Sequence, residues 1–337
     1  MRNEDCGIMK VFVTGGAGYI GSHVVLDLLG AGHEVVILDD MSKGREENIH
    51  PDAEFILGST RDSGTVHEAL SGGVDAVIHL SAFKAAGESM THPEKYSTNN
   101  IAGTLSLLNC MSEAGVNTIV FSSTAAVYGY PKYLPMDEAH PTAPINYYGY
   151  TKLAIEEYLK WYGELKGIRF AALRYFNAAG YDGAGRVRGL ERNPANLLPL
   201  VMEVASGVQS ELEVYGNDYD TFDGTGVRDY IHVTDLASAH ILALDYLQSN
   251  ESLTVNLATG ESHSVLEVVE MARSVTGAEI PYRVVERRPG DPAELVATSK
   301  LAGETLGWES VHSGLEELLD SMWKVYQHHY SKAEVPA

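Results

Sequence analysis

The run Met9-Lys10-Val11-Phe12-Val13-Thr14-Gly15-Gly16-Ala17-Gly18-Tyr19-Ile20-Gly21 constrains the fold more than any other part of the chain. A short apolar stretch enters glycines spaced G-x-x-G-x-x-G, and an amphipathic segment follows. Val11, Phe12 and Val13 read as a buried strand. Gly15, Gly18 and Gly21 let the backbone turn sharply, approach a diphosphate closely and pack the next helix against the strand. A helix starting near Tyr19 points its unpaired N–H groups and positive dipole end at that diphosphate. A second strand, residues 34–38, ends at Asp39, where a carboxylate accepts hydrogen bonds from dinucleotide ribose hydroxyls. A glycine triplet alone marks only a tight strand–helix turn. Strand, glycines, helix, second strand and Asp39 in that order mark a dinucleotide site. Asp39 followed by Asp40, with no arginine beside them for a 2′-phosphate, points to NAD rather than NADP.

The 337 residues suit a large nucleotide-binding domain with a smaller elaboration. Their formal charge of −22, from 24 basic and 46 acidic residues, argues against nucleic acid as a partner. An anionic small molecule is still compatible, because a few local arginines suffice for it. Cys6 and Cys110 have neither metal-ligand nor redox-pair spacing, so no metal is expected and a reducing cytoplasm is. No apolar run reaches membrane-spanning length, and residues 1–8 read as a disordered extension ahead of the first strand.

Strand and helix patterns alternate through the first half. Strands are expected at 10–14, 34–38, 54–57, 76–80, 118–122 and 169–173, with helices at 21–29, 65–70, 93–114 and 148–165. Apolar strands without a polar face predict an α/β fold, a Rossmann-type doubly wound parallel sheet covered by helices. Ligands then bind beyond the carboxyl ends of the strands. After Asn177 the pattern loosens into loops at 180–196 and 216–226, interrupted by helices at 197–205, 233–246 and 265–276. The expected division is an NAD-binding domain over 9–177 and a smaller, discontinuous C-terminal substrate lobe over 178–337, some of whose segments return to the first domain.

The strand at 118–122 runs into Ser123-Thr124-Ala125-Ala126, placing hydroxyls where chemistry occurs in this architecture. Tyr148 and Lys152 stand at i and i+4, one above the other on a helix face. An ammonium beside a phenol, together with a cationic nicotinamide, is expected to lower the phenol's pKa. Such a tyrosine takes a proton from an alcohol while hydride leaves the same carbon. The Y-x-x-x-K spacing also occurs at Tyr128/Lys132, which Pro131 breaks, and at Tyr162/Lys166, which ends its helix. Only Tyr148/Lys152 combines a helix start with a strand-end hydroxyl cluster.

The glycine triplet, the Ser123/Thr124 pair and Tyr148-x-x-x-Lys152 resemble the extended short-chain dehydrogenase/reductase superfamily. Tyr175-Phe176-Asn177-Ala178-Ala179-Gly180, the run from Gly216 through Asp223-Gly224-Thr225-Gly226-Val227-Arg228-Asp229-Tyr230-Ile231-His232-Val233, and Arg287-Arg288-Pro289-Gly290-Asp291 narrow the resemblance to the UDP-glucose 4-epimerases. The similarity runs from about Met9 to Tyr330.

The resemblance implies an isomerase that oxidises sugar C4 transiently with tightly bound NAD, interconverting UDP-glucose and UDP-galactose in galactose metabolism. Tyr148 is implied as acid and base, Thr124 as the hydrogen-bond partner of the reacting oxygen, and Lys152 as holder of the nicotinamide ribose. Further implied cofactor contacts are Gly15, Gly18, Tyr19, Ile20, Gly21, Asp39, Ser59, Thr60, Leu80, Ser81, Ala82, Lys84, Asn99 and Phe176. Beside Thr124 and Tyr148, implied UDP-sugar contacts are Asn177, Asn196, Leu197, Val214, Tyr215, Arg228, Arg288, Asp291 and Leu295. Two arginines suit a diphosphate. The family usually has an acidic residue where this chain has Ser59, which leaves the adenine contact without a charge.

A homodimer through 93–114 and 148–165 is implied too, and Leu153, Tyr158, Leu159, Trp161 and Tyr162 supply more apolar surface than one sheet face requires. A 4,6-dehydratase would carry an Asp–Glu pair where Ala125 and Ala126 stand. An epimerase of UDP-N-acetylhexosamines, UDP-pentoses or UDP-uronates, and a non-enzymatic NAD sensor or scaffold, stay open as alternatives. Leu295, intermediate in size at a position lining the sugar's 2-substituent, implies weak activity on N-acetylated sugars.

Overall fold

In the first half, short β-branched runs alternate with amphipathic segments, and each pair closes one strand–helix unit of a parallel sheet. The computed structural model describes residues 7–288 and 290–330. Most of the expected N-terminal extension, Pro289 of the 287–291 run and residues 331–337 lie outside the described residues. The elements are β1 (Lys10–Thr14), α1 (Tyr19–Gly30), β2 (Glu34–Asp39), β3 (Glu54–Leu57), α2 (Ser63–Leu70) and β4 (Ala76–His79). Then come α3 (Ala86–Thr91), α4 (Pro93–Tyr96), a π-helical turn (Ser97–Ala102), α5 (Gly103–Ala114), β5 (Thr118–Ser122), α6 (Tyr147–Lys166) and β6 (Arg169–Tyr175). The second half adds β7 (Asn177–Ala179), α7 (Leu197–Ala205), β8 (Leu212–Tyr215), β9 (Val227–Arg228), β10 (Tyr230–His232) and α8 (Val233–Leu247). It ends with β11 (Leu253–Leu257), β12 (His263–Ser264), α9 (Val265–Thr276), β13 (Tyr282–Val285), β14 (Glu294–Leu295), α10 (Lys300–Leu306) and α11 (Leu315–Tyr330).

Seven strands form one sheet in the order β11-β6-β5-β4-β1-β2-β3, every pair parallel. The chain runs from β1 out through β2 to β3 at the edge and then crosses back to β4 on the other side of β1. This reversal opens a crevice at the carboxyl end of β1. Thr14 pairs with both Leu38 and His79, so the strand ends that carry the glycine turn, Asp39 and Leu80 lie side by side. One sheet face is packed by Val24, Val25 and Leu28 of α1 with Leu236, Ala243 and Leu247 of α8. The other is covered by Leu107 and Met111 of α5 and Ile155 and Leu159 of α6. A separate core joins Val201 and Met202 of α7, Val268 and Val269 of α9, and Leu318 and Met322 of α11 beneath β8.

Two features depart from the sequence expectation. The segment at 93–114 is not one regular helix, because the π turn widens the coil at Ser97–Ala102 and carries the Asn100 amide inward. Asn100 accepts the Phe83 N–H at 3.0 Å and donates to the Phe83 carbonyl at 3.0 Å, so the widened turn pins the loop that follows β4. In addition, β11, which is not among the six strands expected by residue, pairs along β6 as the seventh strand of the first sheet.

Candidate active site

At the switch point the glycines leave room that no side chain could share. Gly15 has φ +77°, and a Cβ there would lie 2.9 Å from the Ser81 nitrogen. A Cβ on Gly21 would lie 2.0 Å from the Gly15 carbonyl oxygen. Gly18 caps α1 without a side-chain hydrogen bond, so the helix start presents backbone N–H groups to the crevice. Buried Asp39 accepts the N–H groups of Ala17 at 3.1 Å and Met41 at 2.9 Å, and burial pushes its carboxyl pKa up. Leu80 donates its N–H to the Thr14 carbonyl at 3.0 Å, which lays Leu80, Ser81 and Ala82 beside Gly15. Bare turn, uncapped helix start and strand-end carboxylate fit a dinucleotide.

The remaining residues expected at the cofactor are distributed around this crevice. The Tyr19 hydroxyl donates to the Gly180 carbonyl at 2.5 Å, and Ile20 packs against the core shared by α1 and α8. The Ser59 hydroxyl accepts from Arg61, at 3.3 Å from its N–H and 3.1 Å from its Nε, so it is already engaged. Thr60 is buried against Gly103. Lys84 is exposed and pairs across the crevice with Glu191 at 2.8 Å. Asn99 donates to the Lys95 carbonyl at 3.2 Å, whereas its neighbour Asn100 is the buried one. Asn100 also donates to Thr151 Oγ1 at 3.2 Å, tying the loop after β4 to α6. Sequence reasoning missed Asn100, because two adjacent asparagines are distinguished only by the turn that carries them.

The reacting groups meet where β5 ends. Thr124 accepts the Ala126 N–H at 3.2 Å, capping the short turn Ala125–Val127, and its hydroxyl faces the Tyr148 phenol. Asn146 caps α6 by accepting the Gly149 N–H at 2.8 Å, and the Tyr148 N–H is held by Ser89 Oγ at 3.0 Å. Lys152, one turn along, is buried. Its Nζ donates to the Ser122 carbonyl at 2.7 Å and lies 4.7 Å from the centre of the Phe121 ring.

The protein's own groups do not lower the phenol's pKa. Burial pushes Tyr148 up to about 12, opposed only by the Thr124 hydroxyl, because the Lys152 ammonium is turned onto the Ser122 carbonyl. Burial also lowers Lys152 to about 7, with the Glu156 carboxylate pulling the other way. The other two Tyr–Lys spacings do not reach the crevice: Tyr128 donates to Asn256 at 2.6 Å and Tyr162 to Asn109 at 2.6 Å.

The second lobe closes the far side. Arg228 on β9 pairs with Asp291, and donates to the carbonyls of Val227 at 2.7 Å, Pro292 at 2.8 Å and Ala293 at 3.2 Å. Arg288 stacks over the Tyr215 ring at 3.9 Å, while Val214 turns its side chain into the lobe's core. Asn177 donates to the Asp229 carbonyl at 3.0 Å. Asn196 starts α7 without capping it, and Leu197 packs on the core below. Leu295 pairs in register with Arg228 and, with Phe176, packs against the cluster holding Ala125. Among the described residues, no group of three or more His, Cys, Asp or Glu side chains is arranged to hold a metal.

Dinucleotide crevice, strand-end threonine and Tyr–Lys pair are matched by the model of the NAD dependent epimerase/dehydratase family over residues 11–258. A UDP-glucose 4-epimerase of Lacticaseibacillus casei is 43% identical over 324 residues, covering 95% of this chain and 98% of that protein. The crystal structure of UDP-glucose 4-epimerase from Brucella ovis in complex with NAD is 41% identical, with a TM-score of 0.92 over 94% of this chain and 98% of that one. The Stenotrophomonas maltophila enzyme, solved with NAD and formylated UDP-arabinopyranose, is 40% identical, with a TM-score of 0.93 over 96% and 100%. The chain belongs to the NAD-dependent epimerase/dehydratase family and, within it, to the UDP-glucose 4-epimerases.

Proposed function

We propose that Tyr148, Thr124 and Lys152 carry out the chemistry of an NAD-dependent isomerase that interconverts UDP-glucose and UDP-galactose. The observation that supports this most directly is the buried Tyr148 phenol facing Thr124 at the end of a central strand, with Lys152 one turn away. Bound in the crevice, NAD supplies a hydride acceptor, then donor, for sugar C4. Tyr148 takes the 4-hydroxyl proton as the carbon is oxidised and returns it after the sugar presents its other face. Thr124 holds the reacting oxygen in line with the phenol. Lys152, anchored on the Ser122 carbonyl one turn along, would hold the nicotinamide ribose.

Gly15, Gly18 and Gly21 with the start of α1 would hold the diphosphate of the cofactor, and Asp39 the adenosine ribose. Leu80, Ser81, Ala82, Lys84, Asn99 and Phe176 would line its nicotinamide half, and Ser59 and Thr60 the adenine. Asn177, Asn196, Leu197, Val214, Tyr215, Arg228, Arg288 and Asp291 would grip the UDP portion, with Leu295 beside the sugar. Residues 9–177 would then be chiefly the cofactor domain and 178–337 chiefly the substrate lobe, with α8 and β11 returning to the first sheet.

Incubating the purified protein with UDP-galactose and identifying the product tests the function. Formation of UDP-glucose without added NAD is expected. No conversion with saturating NAD would refute it, and release of reduced NAD in step with turnover would indicate a net dehydrogenase instead.

A homodimer through the helices at 93–114 and 147–166 is proposed as well. It is supported by the exposure of Trp161 (58%), Leu165 (70%) and Tyr150 (51%) on α6. A light-scattering mass of one 36.6 kDa chain at micromolar protein would exclude it. A cytoplasmic setting fits the free, buried Cys110. Among the described residues no helix is long and apolar enough to cross a membrane.

A further inference from the structure

Beneath the reacting groups lies a buried polar network that the catalytic roles above do not use. Glu156, fully buried on α6 one turn beyond Lys152, accepts the Ser123 hydroxyl at 2.5 Å through Oε1. The same oxygen accepts Arg174 Nε at 2.9 Å, and Oε2 accepts a terminal nitrogen of that guanidinium at 2.5 Å. Arg174 in turn donates to the Tyr128 hydroxyl at 3.0 Å, and Tyr128 donates to Asn256. One carboxylate therefore joins α6, the end of β5, β6 and, through Tyr128, β11.

What this clasps is the peptide between Ser122 and Ser123. Its carbonyl is the acceptor of Lys152 Nζ at 2.7 Å. Its N–H donates to the Leu173 carbonyl at 2.8 Å. The Ser123 hydroxyl is fixed by Glu156, and the next residue is Thr124. The orientation of this one peptide sets both where the ammonium sits and where the threonine hydroxyl points. A buried ion pair is weak evidence for stability, since desolvation offsets most of its attraction. Retaining one here, bonded to the strand-end serine, is better explained by the geometry it enforces.

We propose that Glu156 is a positioning residue: through Ser123, with Arg174 as its counter-ion, it fixes the peptide that seats Lys152 and aims Thr124. This rests on the assignment of Lys152 and Thr124 to the chemistry. The ionisable groups around Lys152 are Tyr148 and Glu156 on α6, His79 on β4, and Arg174 and Tyr175 on β6, with Tyr96 facing Tyr148 from α4. Of these, the Glu156 carboxylate opposes the lowering that burial imposes on the Lys152 ammonium.

Two variants of the full chain test it, each assayed with UDP-galactose from pH 6 to 9. Ser123→Ala removes the clasp but leaves the Glu156–Arg174 pair whole. It is expected to keep bound NAD, wild-type KM and a near-normal melting temperature while kcat falls at least tenfold; Ser123→Thr, which restores a hydroxyl, recovers part of the loss. Glu156→Gln leaves Arg174 charged beside Lys152, so activity on the alkaline side fails at lower pH, the kcat limb moving by one unit or more. A mere brace would lower stability and kcat alike at every pH. Wild-type kcat in Ser123→Ala overturns the proposal, as does an unshifted alkaline limb in folded Glu156→Gln. If Glu156→Gln does not fold, Ser123→Ala decides alone. Loss of conversion by the unmodified protein would instead refute the assigned reaction, a result these variants cannot mimic.

Discussion

Replacing Gly21 by alanine is the smallest change that should open the cofactor crevice. The new Cβ would stand 2.0 Å from the Gly15 carbonyl oxygen and 2.9 Å from Gly16 Cα. Carbon and oxygen approach comfortably at about 3.3 Å, so α1 and the glycine turn must separate by about 1.3 Å. The turn cannot retreat. Gly15 is bonded to the Leu38 carbonyl at 2.8 Å, and its own Cβ direction is blocked by Ser81 at 2.9 Å. The helix start must therefore move, and it carries the N–H groups proposed to hold the diphosphate. A shift of that size stretches an N–H···O contact from ~2.9 Å beyond hydrogen-bond range. Each such bond to a charged group contributes ~1.5–3 kcal/mol, so NAD should bind roughly ten- to a hundredfold more weakly for every bond lost. The clash itself should cost ~1–3 kcal/mol of stability, or roughly 1–4 °C in melting temperature for a chain of 337 residues.

Two controls lie on the same stretch. On Gly18 the Cβ would meet the Gly15 oxygen at 3.1 Å, a milder contact, and on Gly30 it would meet nothing within 4 Å. The order of damage should be Gly21→Ala, then Gly18→Ala, with Gly30→Ala neutral or slightly stabilising. NAD released from acid-denatured protein gives retention, and a melting curve with and without added NAD gives stability. Full cofactor content and an unchanged melting curve in Gly21→Ala would refute the reasoning.

Tyr148→Phe should keep the fold, because Asn146 and Ser89 hold the helix start through its backbone. Turnover should fall ~10²–10⁴-fold with bound NAD retained, and near-normal turnover would move the base role elsewhere. Acid should destabilise the protein steeply. His23, His79, His232 and His240 are lowered by burial to about 4, 3, 4 and 4, so their contribution is full above the unfolded value of about 6.5 and is lost as pH falls toward 4. Asp229, raised by burial to about 7, runs the other way, losing stability as pH rises from about 4 to 7. Three net protons give ~4 kcal/mol per pH unit near pH 5, and His240→Gln should remove about a third of that slope; a flat melting temperature from pH 6.5 to 4.5 would count against it. Leu295→Tyr should spare UDP-galactose and abolish the weaker activity expected on UDP-N-acetylgalactosamine. If Leu295 only packs the Ala125 cluster, both activities and the melting temperature would fall together.

Six strands of the sheet were legible because each holds a short apolar run, whereas β11, with Thr254 and Asn256 between its ends, was not. The glycine turn was legible because only glycine tolerates such close backbone approaches. The π turn was not. Over six residues, periods of four and five leave nearly the same apolar pattern, so 93–114 reads as one helix. The two-residue strands β9, β12 and β14 were equally invisible. They are held by neighbours in the fold, with Arg228 pairing in register with both His263 and Leu295.

Helix α6 shows why the site's interior was the hardest part to read. Lys152 and Glu156, four residues apart, have the signature of a solvated salt-bridge face. Trp161 and Leu165, farther along, are apolar enough for either a core or an interface. The structure separates them: Lys152 and Glu156 are sealed against the sheet with Ile155 and Leu159, while Trp161 and Leu165 face outward. Burial of the charges is tolerable only because Ser122, Ser123 and Arg174, from two neighbouring strands, supply their partners. Those partners are set by strand order and register, which no local pattern encodes. An outward apolar stripe on the same helix needs a cover of its own. In the proposed homodimer a second copy of α6 supplies that cover, leaving the proposed chemistry on one face of the helix and assembly on the other.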